Sequence, residues 1–85
     1  MGGEMKSETI LIRMPDLGDV SKAVVVQWLQ SLDSHLTEGD DLLEVETEKT
    51  TFVIPAPASG RLSRIISAEA AVVTTEEVLG EIELQ

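Results

Sequence analysis

The side chain most open to chemistry in this 85-residue sequence is Lys49. It is the only Lys or Arg between Lys22 and Arg61, and seven acids lie between Asp33 and Glu48. Three readings suit a lysine in that setting. It can be a solvated surface residue that discourages edge pairing of a sheet. It can be a Schiff-base catalyst. It can be offered to another enzyme for covalent modification. Schiff-base work needs a free amine, produced by burial or by neighbouring cations. Glu46 and Glu48 are the opposite environment, and a protruding turn offers no substrate pocket. An acyl group on Lys49 must therefore arrive already activated by another enzyme. The solvated and the modified lysine both stay open on the residues alone.

Other constellations fail. There is no cysteine, so there is no disulfide frame and no thiolate for metal or nucleophilic work. A single histidine, His35, excludes the usual zinc ligand sets. Asp33, Ser34 and His35 are adjacent in a turn, which is not a catalytic triad. A calcium loop opening at Asp33 would need glycine where Glu38 stands, and Gly39 supplies no ligand. Sixteen acids against six bases, a net charge of −10, disfavour nucleic acid, since phosphate contacts need clustered Lys and Arg. No apolar run approaches the roughly 18 residues that would span a membrane. A stand-alone enzyme is disfavoured, because nothing pairs a nucleophile with a base.

The elements that must position Lys49 read as short strands. Ile10, Ile12 and Met14 alternate until Pro15-Asp16-Leu17-Gly18 stops the run. Val24 to Leu29 is β-branched and ends at Trp28-Leu29. Ser31 to Asp41 is polar and turn-like. Leu42 to Thr47, Glu48-Lys49 and Thr50 to Ile54 read as a hairpin with Lys49 at its tip. Pro55 and Pro57 end it. Gly60 opens a strand carrying Leu62, Ile65 and Ile66, and Val78 to Leu84 is the last. A short helix over Ser67 to Ala71 is the weaker alternative to a turn there. The pattern predicts one all-β domain over residues 10–85, a sandwich or barrel. Residues 1–9 read as a polar tail or expression scar, and the close trimming suggests a domain cut from a longer chain or a very small free-standing protein. Phe52 and Ile54 are expected in the core, Trp28 as a partly buried packing residue, and Val53 on the opposite, exposed face.

An internal repeat runs at an offset of 37 residues. Val25, Trp28 and Leu29 map onto Leu62, Ile65 and Ile66. Leu42, Glu44, Val45 and Glu46 map onto Leu79, Glu81, Ile82 and Glu83. Neither half can close a core alone, so two similar units should pack face to face about a pseudo-twofold axis.

Four motifs in order carry a resemblance. They are Met14-Pro15-Asp16-Leu17-Gly18, then Trp28-Leu29, then Leu42-Leu43-Glu44-Val45-Glu46-Thr47-Glu48-Lys49-Thr50, then Ile54-Pro55-Ala56-Pro57 followed by Gly60. Together they resemble the lipoyl domain of the dihydrolipoyl acyltransferases in 2-oxo acid dehydrogenase complexes, over residues 10–84. The resemblance implies a flattened barrel of two antiparallel four-stranded sheets with the lysine at a hairpin tip. It implies lipoic acid in amide linkage on Lys49, with Glu46, Thr47, Glu48 and Thr50 read by the modifying enzyme. The implied partners are a lipoate-attaching enzyme, a thiamine-diphosphate-dependent dehydrogenase component, an acyltransferase core and dihydrolipoyl dehydrogenase. The isolated domain is expected to be a monomer without catalysis of its own, in the bacterial cytoplasm or a mitochondrial matrix.

The sequence also departs from that pattern. Glu48 stands where the family has Asp, and Thr50 where it has Ala. Gly-Asp turns are replaced by Asp33-Ser34 and Ala70-Ala71, and Ala70 carries a steric cost if its turn keeps a positive φ. Two alternatives follow. One is a biotin carrier domain, disfavoured because that family flanks its lysine with methionines. The other is an unmodified lipoyl-like module serving in assembly.

Overall fold

A computed structural model describes residues 8–18 and 21–84. Eight strands follow in order, with no helix among the described residues: β1 (Thr9–Arg13), β2 (Lys22–Trp28), β3 (His35–Leu36), β4 (Asp41–Glu46), β5 (Thr51–Pro55), β6 (Gly60–Ile65), β7 (Val72–Thr74) and β8 (Val78–Leu84). β1 opens at Thr9, one residue before the apolar pattern, and pairs it with Glu83. Residues 1–7 of the expected tail lie outside the described residues.

The strands form two antiparallel four-stranded sheets, ordered β1-β8-β6-β3 and β5-β4-β2-β7. Exchanging each strand of one half for its repeat partner turns the first order into the second. The symmetry extends to single residues. β2 and β4 slip register between Val25 and Gln27, and β6 and β8 slip between Leu62 and Arg64. These positions are equivalent under the repeat. The Leu62 amide donates to the Ser34 carbonyl at 3.0 Å, and the Val25 amide to the Ala71 carbonyl at 2.9 Å. These bonds are equivalent too.

The core sits between the sheets. Ile12, Val25, Leu36, Leu42, Leu43, Val45, Leu62, Val73, Leu79 and Ile82 are all fully buried. Leu42 and Leu43 are consecutive, yet both point inward. The bulge between Asp41 and Leu43 against β5 breaks the strict alternation that a regular strand would impose. Trp28 is partly buried, and its indole N–H donates to the Ser67 carbonyl at 2.8 Å, tying the two halves together. Its ring tip fills the space left by Gly80, where an added Cβ would lie 3.1 Å from it and 2.6 Å from the Arg64 carbonyl. At the repeat-equivalent positions stand Ile65 and Leu43, so volume is traded between the two.

Two short strands correct the sequence reading. His35 and Leu36 form β3, not a turn, and pair with Arg61 and Gly60. Ser67 to Ala71 is a turn, not a helix, and leads into β7 against β2. Two or three residues are too few to show a period, so only tertiary pairing defines these strands. Arg61 holds the Asp33 turn to the sheet. Its guanidinium donates to Glu83 Oε1 at 2.5 Å and ion-pairs with Asp33. The Glu83 hydrogen bond raises the Arg61 pKa above its ordinary value, against a smaller desolvation effect, with Asp33 adding to the rise.

Asp33 and Ala70 occupy equivalent turns and share a left-handed backbone, with φ of 73° and 74°. Asp tolerates that region through local hydrogen bonding, whereas Ala meets its Cβ clash uncompensated. Each fully buried aliphatic side chain contributes about 1.5–3 kcal/mol. Ordering the backbone costs about 1–2 kcal/mol per residue, so single strained turns matter in a domain this small. We expect Ala70→Gly to stabilise the fold by about 1 kcal/mol, raising the thermal midpoint by roughly 4–8 °C. A lower midpoint in thermal melts would reject strain at Ala70. Gly80→Ala should do the reverse and lose about 2–4 kcal/mol through overpacking against Trp28 and the β6 backbone.

Candidate functional site

β4 and β5 pair from Asp41↔Pro55 to Glu46↔Thr51, leaving Thr47, Glu48, Lys49 and Thr50 as the connecting turn. This turn lacks the Asn-Gly or Asp-Gly that would shape it through glycine. Thr47 shapes it instead. Its hydroxyl donates to the Thr50 carbonyl at 3.0 Å and accepts the amides of Lys49 and Thr50, each at 3.1 Å. Its own amide donates to the Thr50 carbonyl at 2.8 Å. Thr47 is only 9% exposed, so these bonds satisfy a hydroxyl that is largely withdrawn from solvent. At the repeat-equivalent position stands the apolar Leu84.

The clamp leaves Glu48, Lys49 and Thr50 exposed at the tip, with Glu46 exposed on the strand below. Lys49 forms no ion pair or side-chain hydrogen bond with another described residue. Its backbone is fixed while its amine is free to be addressed. Registers place this tip and the strand ends at Thr9 and Leu84 at opposite ends of the barrel. Glu46 pairs with Val24 near the start of β2. Leu84 pairs with Gly60, which pairs in turn with Leu36, reached by the chain beyond the other end of β2.

The sequence-expected residues therefore gather at one place but divide in kind. Glu46, Glu48, Lys49 and Thr50 present their side chains outward. Thr47 lies largely inside the turn, where its hydroxyl accepts the Lys49 and Thr50 amides. Val53 is exposed on the outer face, while Phe52 is partly buried and Ile54 buried on the inner one. His35 is exposed in β3, on a strand of the other sheet.

Sequence reasoning missed what lies beside the tip. Lys22, Ala23, Val24 and Val72 join Glu46, Thr47 and Glu48 around an open groove of about 360 Å³. β7 brings Val72 there by pairing it with Val24. The available signal was the repeat, which makes a partner for His35-Leu36 at Val72-Val73.

Fold and site together define a two-sheet β-domain that presents one lysine at a clamped hairpin tip. The chain belongs to the biotin/lipoyl-attachment family: the family described as "Biotin-requiring enzyme" matches residues 10–82. It is similar to the dihydrolipoyllysine-residue succinyltransferase component of the 2-oxoglutarate dehydrogenase complex in Bartonella vinsonii subsp. berkhoffii. That likeness is 37% identity over 76 residues, 88% of this chain and 18% of that protein. The same component in Buchnera aphidicola subsp. Schizaphis graminum is 34% identical over 74 residues, 86% of this chain and 19% of that protein. The chain thus spans about a fifth of the length of these curated relatives. The fold matches the solution structure of the lipoyl domain of the 2-oxoglutarate dehydrogenase complex from Azotobacter vinelandii. That match has a TM-score of 0.70 and 23% identity, covering 86% of this chain and 94% of that one.

The clamp can be tested by itself. Thr47→Val keeps the side-chain shape and removes all three hydroxyl bonds, with two amides losing their partner. A loss of about 1–3 kcal/mol in chemical denaturation is expected. An unchanged midpoint would show that Thr47 does not hold the turn.

Proposed function

We propose that the chain is a covalent lipoyl carrier, with lipoic acid in amide linkage to Lys49 Nζ. The observation that carries this reading is the exposed Lys49 on a turn whose backbone is fixed by the buried Thr47. The residues present fit that group. Nζ has no competing partner among the described residues, and the tip projects from the barrel where an attaching enzyme can reach it. When bound, lipoic acid supplies a disulfide that accepts an acyl group together with reducing equivalents. The chain supplies the rest. Thr47 orients the attachment point, Glu46, Glu48 and Thr50 offer side chains for recognition, and the barrel keeps the tip remote from Thr9 and Leu84. Tethering raises the concentration of the carried group at each active site that the arm visits.

The curated relatives support a 2-oxo acid dehydrogenase complex, with 2-oxoglutarate as the 2-oxo acid their names give. On this reading the partners are a lipoate-attaching enzyme, a thiamine-diphosphate-dependent dehydrogenase, an acyltransferase core and dihydrolipoyl dehydrogenase. The domain itself performs no catalysis. The bacterial origin of these relatives fits action in a bacterial cytoplasm. The acidic surface would steer the domain toward basic faces on its partners. Biotin is the weaker reading, because Glu48 and Thr50 replace the methionines that flank a biotinyl lysine.

Incubation with a lipoate-attaching enzyme, lipoate and ATP should add one lipoyl group, read by intact mass and mapped to Lys49. Lys49→Arg should take none. Absence of any gain on the folded chain, with a biotin-attaching enzyme equally inactive, would favour an unmodified assembly module. Glu48→Asp restores the shorter acid of the family pattern and is expected to speed attachment several-fold, with an unchanged or slower rate arguing that Glu48 is not read.

A further inference from the structure

The groove beside the tip has an occupant within reach. We infer that it is a resting site for the uncharged lipoyl ring attached to Lys49, an inference that rests on the carrier reading above. Three observations point there. The groove is continuous with the attachment turn, since Glu46, Thr47 and Glu48 form one of its walls. Its outer floor is apolar. Val24 is 39% and Val72 58% exposed, side by side on adjacent strands. Among the described residues that line it the only cation is Lys22, against the carboxylates of Glu46 and Glu48, so it favours a neutral group over an anion.

Reach agrees. From Lys49 Cα to the dithiolane ring there are about eleven bonds of about 1.5 Å each. Val24 stands one strand from β4 and Val72 two strands, about 5 and 10 Å across the sheet. The extended arm covers both distances. Because the ring is tethered, its effective concentration at the groove is in the millimolar range. A weak site, useless for a free ligand, then holds about half of the arms. The same balance sets a preference among loads. An acyl group ending in a free carboxylate meets Glu46 and Glu48 and is turned outward, whereas the oxidised ring is sheltered.

The test uses the full chain, lipoylated on Lys49 and verified by intact mass. Nuclear Overhauser contacts between the dithiolane protons and the methyls of Val24 and Val72 are expected. Reduction of the ring by a water-soluble phosphine should run about twofold slower than that of free lipoamide. In the Val72→Asp variant the contacts should vanish and the rate should return to that of free lipoamide. Val72 is exposed, so this change leaves the core intact. A fully lipoylated chain without those contacts, reduced at the free rate, overturns the resting site while leaving the carrier reading in place. A chain that takes no lipoyl group overturns the carrier reading and this inference with it, and the mass shows that before any spectrum is recorded.

Discussion

Neither half of this chain can bury the apolar face of its own strands. That constraint organises the rest. Each sheet is built from strands of both halves: β1 and β3 join β6 and β8, while β2 and β4 join β5 and β7. Val25 and Leu62, equivalent under the repeat, each bond across to the turn of the other half, at Ala71 and Ser34. Interlocking of this kind makes the core one object rather than two. It also makes the β4–β5 hairpin, which joins the first half to the second, a rigid extension of the whole barrel.

A rigid hairpin solves a positioning problem. An exposed lysine has many rotamers, and on the proposed carrier reading an attaching enzyme needs the backbone beneath it to be fixed. Thr47 does this inside the turn, by satisfying two amides and a carbonyl that a glycine-shaped turn would arrange differently. The acids around it serve a different end. Glu46 and Glu48 keep the tip charged and solvated, and they give the neighbouring groove its bias against anions. Where the repeat is broken, local needs explain it. Thr47 replaces the apolar residue that its partner Leu84 supplies, and Gly80 makes room for Trp28.

Much of this was legible in the residues. The alternation in Ile10 to Met14, the bounded stretch Leu42 to Ile54 and the 37-residue repeat gave the all-β class and the hairpin lysine. The turns at Asp33 and Ala70 were readable as positive-φ positions only through the family resemblance, in whose pattern glycines stand there. β3 and β7 were not readable, since strands of two and three residues carry no period and exist only through pairing with β6 and β2. Thr47 is one of the motif residues that the resemblance hands to the modifying enzyme. Its burial follows from the turn folding back over it, which no pattern of polarity records. The groove was hidden for the same reason: Val24 and Val72 are 48 residues apart in the chain and adjacent only in the sheet.

The central claim is that the fold, not the residues around Lys49 alone, makes this lysine a substrate for attachment. The direct measurement compares the initial rate of lipoyl transfer to the full chain with that to a free peptide of residues 41–55. The peptide carries every residue of the hairpin but lacks the barrel that fixes it. Transfer to the peptide is expected to be roughly a hundredfold slower, the scale on which misplacement of a reacting group by about 1 Å acts. Equal rates would contradict the account and reduce the barrel to a handle on a linear signal.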